Sequence, residues 1–327
     1  MRFRRFGRLG WQLSEVGYGM WGVAGGPGGW TGGDDEAGAQ ALAEAVNLGC
    51  NFFDTAWIYG RGVGEQILGR VLRENPERQL YVATKIPPKN RNWPSSRESR
   101  LMDVFPPDHV REYLDKSLEN LGVDRIDLLQ YHVWEDAWAD DDRWCQPIAE
   151  MKAQGLVRAV GLSINRWEPW NCLKALDTGL VDSVQVIYNI FDQAPEDELF
   201  SACAEKDIGV IARVPFDEGS LTGTLTKDST WPEGDWRSSY FVPENLQASV
   251  ERADRLGLVV PAGMTMPELS LRFILQHPAV TTVIPGMRRV DHVRANIAVS
   301  DGVPLPAGLM AELRGHRWDR QPTEWSQ

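Results

Sequence analysis

Four polar side chains with complementary chemistry stand at or just after the ends of three consecutive apolar segments. Asp54 and Tyr59 lie in NFFDTAWIYG, Lys85 ends VATK, and His132 ends DLLQYH. A phenol has a pKa of about 10, so it transfers protons poorly at neutral pH unless a neighbour adjusts that pKa. A nearby cation lowers the pKa of a phenol, and a carboxylate beside a lysine offsets part of the cost of burying the ammonium.

An imidazole at the same place can donate a hydrogen bond to a carbonyl oxygen and hold it against the phenol. The four residue types together predict a site that protonates an oxygen as a ketone or aldehyde accepts hydride. Each side chain also has a structural interpretation, such as an ion pair between Asp54 and Lys85 or a buried histidine at position 132. The occurrence of all four at three successive segment ends favours the catalytic interpretation.

The elements that would position these side chains are short apolar segments alternating with amphipathic helical patterns. Most of the apolar segments are rich in aliphatic residues without strict alternation, as expected for parallel strands covered on both faces. The predicted strands are VGYGMW, NFFDT, LYVATK, IDLLQYH, VRAVGLS, VDSVQVIY, IGVIARV and VTTVIPG. Eight strand–helix pairs without a linker predict an α/β fold, a single-domain (β/α)8 TIM barrel over residues 1–327. Chemistry in such a barrel lies at the C-terminal ends of the strands.

Helix signals support this alternation. In PDHVREYLDKSLENLG the apolar residues fall on one face, and Gly122 is placed to end the helix. Another helix is predicted to begin with Thr265 and Glu268, which have the spacing of a capping box.

Composition restricts the class of partner. The net charge of -12 over 327 residues argues against nucleic acid or an anionic membrane as the main partner. No apolar run is long enough for a membrane span, and the N-terminal stretch has no apolar signal region. The four cysteines and five histidines show no metal-binding spacing. These features predict a cytoplasmic globular protein that acts on a small molecule and holds no metal.

Three predicted loops are unusually long, and all would open on the same face of the barrel. They follow the third, fourth and seventh strands, and loops of this length are usually functional or disordered. Their tryptophans are candidates to line a pocket: Trp93, Trp134, Trp138, Trp231 and Trp236.

The segments NFFDTAWIYG, VATK and DLLQYH, in this order, resemble signatures of the aldo-keto reductase superfamily. The resemblance extends from RRFGRLGWQLSEVGYGMW to TTVIPGMRRVDHVRANI. It implies a barrel that binds NADPH in extended form and transfers hydride to carbonyls. By position in the family pattern, Tyr59 would be the general acid, Lys85 and Asp54 the pair that tunes it, and His132 the residue that orients the carbonyl.

The cofactor site is implied by this resemblance alone, because no predicted strand leads into the G-x-G-x-x-G turn of other dinucleotide-binding proteins. Ser163, Asn165 and Gln185 would hold the carboxamide, although Asn165 stands one place later than in many relatives. Arg213 occupies a position where many relatives carry an aromatic residue that stacks on nicotinamide, and a planar guanidinium can also stack. The other implied cofactor residues are Met20, Trp21, Pro215, Phe216, Gly219, Leu221, Gly286, Arg288, His292 and Asn296.

The same resemblance implies where the phosphates would bind. Backbone amides near Gly219 and Leu221 would wrap the pyrophosphate in a loop that closes over it. Relatives often carry a lysine where this chain has Thr224, so either Lys227 substitutes for it or the loop grips the phosphates less strongly. Arg288, with its neighbour Arg289, suits the 2'-phosphate and favours NADPH over NADH.

By family position, Trp21, Trp57 and Trp134 would line the substrate pocket. Tryptophans supply flat apolar walls that suit aromatic aldehydes or the apolar faces of sugars. The predicted partner is therefore a small carbonyl compound: an aldehyde, a ketone or a sugar.

Two other functions fit the same fold. A glycoside hydrolase would need paired carboxylates, for which Glu135 and Glu218 are the candidates, but it leaves Tyr59, Lys85 and His132 unexplained. A non-catalytic barrel that binds NADPH as a sensor or subunit would not need the full catalytic set.

Overall fold

Eight parallel strands form a nearly closed barrel in this computed structural model, which describes residues 1–24 and 35–323. Strands that are neighbours in the sheet are also neighbours along the chain, and parallel bridges from Val16 to Val283 and from Gly19 to Gly286 join the first barrel strand to the last. An antiparallel hairpin precedes the barrel. The hairpin strands are β1 (Phe3–Phe6) and β2 (Trp11–Ser14), and the barrel strands are β3 (Tyr18–Gly19), β4 (Phe52–Asp54), β5 (Tyr81–Ile86), β6 (Ile126–Tyr131), β7 (Val157–Ser163), β8 (Ser183–Ile187), β9 (Gly209–Arg213) and β10 (Thr282–Val283). Each predicted strand overlaps an observed one, and the predicted (β/α)8 barrel is confirmed.

At least one helix follows every barrel strand. Over the described ranges the α-helices are α1 (Asp35–Asn47), α2 (Val63–Glu74), α3 (Leu101–Val104), α4 (Pro107–Leu121), α5 (Cys145–Ala153), α6 (Leu173–Asp177), α7 (Leu199–Glu205), α8 (Arg237–Tyr240), α9 (Pro243–Gly257), α10 (Met266–Gln276), α11 (Val290–Ala298) and α12 (Ala307–Arg314). Short 3-10 turns lie at Gly7–Leu9, Asp136–Asp140, Asp142–Trp144, Ala194–Glu196 and Asp217–Thr222. In the part of the chain that the structure describes, no helix has both the length and the apolar character needed to cross a membrane.

The predicted helix signals are observed, with one difference. Gly122 ends α4 in the left-handed conformation (φ 65°), which glycine adopts without steric cost. Thr265 caps α10, because its hydroxyl accepts a hydrogen bond from the Glu268 backbone N–H (3.2 Å). The Glu268 carboxylate accepts a hydrogen bond from Arg272 on the next turn. Of the two hydrogen bonds of the predicted capping box, the structure thus shows the one made by Thr265.

The hairpin closes the N-terminal end of the barrel. Phe6, Trp11 and Leu13 form an apolar cluster with Phe52 and other residues at the beginnings of the strands. At the start of β9, a Cβ atom on Gly209 would lie 2.3 Å from the Phe6 ring, so only glycine lets the hairpin approach this closely. The hairpin was not predicted, because its strands are only four residues long and carry exposed polar side chains beside the apolar ones.

Strand periodicity explains why the other end of the barrel is polar. Side chains two residues apart on a strand point the same way. Phe52 therefore faces the barrel interior in the apolar layer and Asp54 faces it one step higher, whereas Phe53 points outward and packs against Tyr18. Chemistry concentrates at the C-terminal end because β4, β5 and β6 each change from apolar to polar residues on their inner faces.

Candidate active site

A buried ion pair between Asp54 and Lys85 forms the base of the site. The Lys85 ammonium lies 2.5 Å from Asp54 Oδ1 and also donates to the Thr55 backbone carbonyl (2.9 Å). The other carboxylate oxygen accepts hydrogen bonds from the amides of Gln130 (3.1 Å) and Gln185 (2.7 Å). Both charged side chains are almost fully buried, with relative exposures of 3% for Asp54 and 1% for Lys85. Each charge is thus paired and hydrogen-bonded, which is the condition for holding charges away from water.

Tyr59 and His132 lie above this pair. The Lys85 ammonium is 5.2 Å from the centre of the Tyr59 ring. The centres of the Tyr59 and His132 rings are 6.1 Å apart, and the rings meet at 78°. Tyr59 comes from the loop between β4 and α2, and His132 directly follows β6. The structure therefore brings all four predicted catalytic residues to one place.

Burial sets the protonation states of the two rings. It raises the pKa of Tyr59, and the Lys85 ammonium opposes this rise without cancelling it. The cation therefore acts in the expected direction, but in the protein alone desolvation of the phenol is the larger effect. Burial, reinforced by Lys85 and Arg213, holds the pKa of His132 well below its usual range. The site thus presents a protonated phenol beside a neutral imidazole.

These residues form one wall of a cavity of about 800 Å³. Asp54, Tyr59 and His132 line it, while Lys85 lies beneath. Most of the predicted cofactor residues and two of the three predicted substrate residues also line it: Met20, Trp21, Trp134, Ser163, Asn165, Gln185, Arg213, Pro215, Phe216, Gly219, Gly286, Arg288, His292 and Asn296.

Two predicted residues do not reach the cavity. Trp57 packs edge-on against Tyr113 of α4 (ring centres 4.7 Å apart), and the Lys116 ammonium lies 5.5 Å from its ring. In the turn after β4, the Tyr59 side chain points into the cavity and the Trp57 side chain points outward to α4. The Leu221 side chain is fully buried in the apolar core and does not line the cavity, and the predicted role of its backbone amide stays a prediction.

Polar groups at the ends of β7, β8 and β9 surround the middle of the cavity. Ser163 and Gln185 line it, and the Gln185 amide nitrogen is committed to Asp54. The side-chain oxygen of Asn165 accepts a hydrogen bond from the Trp167 backbone (2.9 Å). The Arg213 guanidinium donates to the Ile164 carbonyl (3.2 Å), and burial lowers its pKa.

The loop from residue 214 to 242, which joins β9 to α9 and contains α8, forms the cover of the cavity. We call this segment the lid loop. Its residue Glu218 lines the cavity, and burial raises the pKa of this carboxyl to about 7 although nearby arginines oppose the rise. Thr224 also lines the cavity, whereas Lys227 forms an ion pair with Glu251 (3.2 Å) on α9. Lys227 does not line the cavity, and its substitution for the lysine of relatives stays a prediction.

The far end of the cavity carries one of the two neighbouring arginines. Arg288 lines it and packs closely on Gly22, where an added Cβ would lie 3.1 Å from the Arg288 side chain. Arg289 points to solvent and pairs with Asp291 (2.6 Å). His292 and Asn296, one helical turn apart on α11, line the same end.

Of the tryptophans in the long loops, three line the cavity. Trp236 of the lid loop lies 5.0 Å from Trp21, and Trp93 meets the His132 ring edge-on at 5.7 Å. Trp134 lines the cavity and packs on the core. The other two stabilise the loops: Trp138 packs on Trp134 and Trp231 stacks on Phe241.

Comparison with known proteins agrees with this geometry. Residues 15–317 match the Aldo/keto reductase family. The chain belongs to this family. This aldo-keto reductase is 30% identical to the NADH-specific methylglyoxal reductase of Escherichia coli K12, over 88% of its own length and 89% of the relative's. It is 29% identical to the aldo-keto reductase yakc of Schizosaccharomyces pombe, whose name specifies NADP(+), over 86% of its own length and 82% of the relative's.

Among solved structures, this aldo-keto reductase is similar to the glycerol dehydrogenase of Gluconobacter oxydans. The TM-score is 0.76 at 26% identity, and the match covers 97% of this chain and 94% of that chain. Reduction of carbonyl compounds with a nicotinamide cofactor is general in the family, but the two sequence relatives differ in the nucleotide that their names specify.

The aldo-keto reductase site also contains a residue that the sequence reasoning missed. Gln130 donates to Asp54 and so fixes the carboxylate that holds Lys85. The signal was present, because Gln130 stands two residues after the inward-facing Leu128 on β6 and must share its inner face.

The carboxylates proposed for a glycoside hydrolase do not form a pair across this cavity. Glu135 is buried, and its two oxygens accept hydrogen bonds from Ser95 (2.6 Å) and Asn171 (2.8 Å). It does not line the cavity, whereas Glu218 does. Glu135 therefore cannot serve as the partner of Glu218 that the hydrolase alternative requires.

Proposed function

We propose that this aldo-keto reductase reduces an aldehyde or ketone to the alcohol with NADPH, and that Tyr59 is the general acid. The observation that carries the proposal is the Tyr59 phenol beside His132 and above the buried Asp54–Lys85 pair, at one wall of a large cavity. A non-catalytic nucleotide-binding barrel would have no use for this arrangement.

The cavity suits a nicotinamide nucleotide. It extends from the catalytic residues past the polar groups of Ser163 and Gln185 to the cationic end at Arg288. A bound nicotinamide cofactor would supply the hydride that adds to the carbonyl carbon. Ser163, Asn165 and Gln185 would hold its carboxamide, and Arg288, His292 and Asn296 would bind its adenosine and 2'-phosphate end.

The chain's own residues would complete the reaction at the carbonyl oxygen. Neutral His132 donates a hydrogen bond that holds this oxygen beside the phenol. As the oxygen gains negative charge, Tyr59 donates its proton and becomes a phenolate. The ammonium of Lys85 stabilises that phenolate, and Asp54 holds the lysine in position. A proton from solvent then restores the phenol.

Arg288 supports the choice of NADPH. A guanidinium at the far end of the cavity, at the start of a helix, suits a 2'-phosphate better than the hydroxyl of NADH. The relatives include proteins named for either nucleotide, so the preference is inferred from this residue rather than from family membership.

The cavity walls support a small carbonyl substrate with an apolar face. Trp21, Trp93 and Trp236 surround the space next to the catalytic rings. Flat indole surfaces of this kind suit aromatic aldehydes or the apolar face of a sugar. The names of two similar proteins specify methylglyoxal and glycerol, which are also small oxygenated compounds.

The test is loss of NADPH absorbance with a panel of aromatic and aliphatic aldehydes, ketones and sugars, with NADH run in parallel. We expect Tyr59→Phe to retain NADPH binding and to lose turnover by about 100- to 10,000-fold, the usual contribution of a general acid. Tyr113→Phe is the matched control, because Tyr113 packs on Trp57 outside the cavity. Undiminished turnover in Tyr59→Phe would overturn the catalytic assignment, and NADPH binding without turnover of any panel compound would favour the sensor.

A further inference from the structure

A residue far along the chain from the catalytic site reaches under the lid loop. Arg320 lies in the segment 315–323, which follows α12, yet only 3% of its side chain is exposed. Its guanidinium lies 2.6 Å from Asp217 at the start of the lid loop and donates to the Tyr240 hydroxyl (2.9 Å) near the end of that loop. One side chain thus holds both ends of the lid loop.

A second arginine completes a buried cluster. Arg166, from the loop after β7, donates to the Tyr240 hydroxyl (2.7 Å) and to Asp217 (3.3 Å). Asp192, after β8, lies 3.5 Å from Arg166 and 3.8 Å from Arg320. The two guanidinium charges and two carboxylate charges balance. Removal of one member would leave a buried charge without its full compensation, which is costly.

The part of the lid loop held by this cluster is strained. Asp217 and Glu218 both adopt left-handed backbone conformations, with φ of 46° and 56°, which residues other than glycine rarely adopt. Such a conformation persists only where surrounding contacts enforce it. The fully buried Asp217 carboxylate supplies those contacts, and the next residues, Glu218 and Gly219, line the cavity.

The other end of the loop is linked to the cavity through aromatic rings. The Tyr240 ring lies 5.3 Å from Trp236, and Trp236 lies 5.0 Å from Trp21 in the cavity wall. Through Trp236, Tyr240 is thus in contact with a ring that covers the cavity.

We propose that Arg320 is a positioning residue that holds the lid loop closed over the cofactor and so slows cofactor release. The role in cofactor release rests on the proposed function, because it assumes that the protein binds NADPH. The anchoring of the lid loop by Arg320 can be measured on the cofactor-free protein. Arg320 does not line the cavity, and it acts through Asp217 and Tyr240.

The experiment compares Arg320→Met with Arg317→Met, a matched control on the same segment. Arg317 also pairs with an aspartate, Asp197 (2.7 Å), but its side chain is 32% exposed and Asp197 precedes α7, outside the lid loop. Hydrogen–deuterium exchange is measured first on the cofactor-free proteins. We expect faster exchange in peptides of the lid loop for Arg320→Met than for wild type and Arg317→Met. Equal exchange in all three proteins would overturn the anchoring.

The NADPH dissociation rate is measured next, by stopped-flow loss of NADPH fluorescence on displacement. We expect Arg320→Met to release NADPH about tenfold faster than wild type, a change of ~1.4 kcal/mol in free energy. Arg317→Met should release NADPH at the wild-type rate. Arg320→Lys should be closer to wild type than Arg320→Met, because it keeps the positive charge. Faster exchange without faster release would overturn the role in cofactor retention. If the wild type bound neither NADPH nor NADH, the proposed function would fail, whereas the exchange result would still decide whether Arg320 anchors the loop.

A milder variant covers the case in which Arg320→Met does not fold. Tyr240→Phe removes the hydroxyl that both arginines share and keeps the ring against Trp236. We expect it to change lid-loop exchange and NADPH release in the same direction by a smaller factor. Wild-type values for both measurements would overturn the proposal.

Discussion

Replacing Lys85 with methionine should reveal the energetics of the charged pair beneath the active site. The methionine side chain would fill much of the space of the lysine stem, but the Asp54 carboxylate would be left with only the amides of Gln130 and Gln185 as donors. Removal of one partner from a buried ion pair costs roughly 3–5 kcal/mol, because the other charge stays buried. We expect Lys85→Met to lower the free energy of unfolding by about this amount.

The double variant Asp54→Asn/Lys85→Met separates the lost pair from lost packing. Since the double variant leaves no buried charge, its free energy of unfolding should fall by about 1–3 kcal/mol, the cost of imperfect hydrogen bonding at a buried site. It should therefore be more stable than Lys85→Met alone. An exposed pair offers a control: Arg111 and Asp115 on α4 are 49% and 53% exposed, and such pairs contribute about 0.3–0.5 kcal/mol.

Equilibrium urea unfolding, followed by tryptophan fluorescence and far-ultraviolet circular dichroism, measures these differences. The reasoning would be refuted if the double variant were less stable than Lys85→Met, or if Lys85→Met cost no more than disruption of the Arg111–Asp115 pair. Turnover should be low in both active-site variants, because each removes the ammonium beside Tyr59. The second substitution would then restore part of the stability without restoring the activity.

Two further predictions concern the two ends of the cavity. Arg288→Leu should weaken NADPH binding by about 10- to 100-fold, the range expected for lost hydrogen bonds to a charged group, and leave NADH binding unchanged. Titration of both nucleotides measures this, with Arg289→Leu at the solvent-exposed neighbour as the control. Equal losses of affinity for NADPH and NADH would contradict the 2'-phosphate assignment. For Glu218, burial raises the pKa to about 7 from an ordinary value of 4.5, so the folded protein holds this proton more tightly and its stability should fall as pH rises from about 5 to above 7. In urea unfolding of the cofactor-free protein, Glu218→Gln should reduce this loss of unfolding free energy by up to about 3 kcal/mol. If the free energies of unfolding of wild type and variant changed in parallel with pH, Glu218 would not titrate in this range.

The barrel and the four central residues were predictable because both depend on local pattern. Aliphatic segments of five to eight residues, separated by helical patterns, are sufficient to indicate parallel strands. Once the strands are placed, Asp54, Lys85 and His132 must meet, since parallel strands end at the same face of a barrel. Tyr59 follows only one short turn later, so it remains near that face.

Side-chain direction in turns was less predictable. Trp57 and Tyr59 are two residues apart, but the turn after β4 has no fixed period of two, and the structure directs one ring to α4 and the other to the cavity. The N-terminal hairpin was missed for a related reason. Its four-residue strands gain stability from Phe6 and Trp11 packing into the barrel end, which no local pattern shows.

The contacts of the lid loop were the least accessible from the sequence, because they join residues with large separations along the chain. Arg320 and Asp217 are 103 residues apart, and nothing near either one indicates its partner. Their burial nevertheless imposes a strict requirement, since each charge needs the others to remain inside the protein. Partial undocking of the lid loop would leave some of these buried charges without their partners, which favours the docked position of the loop. A cover held in place by buried ion pairs is suited to retaining a nucleotide in the cavity during the reaction.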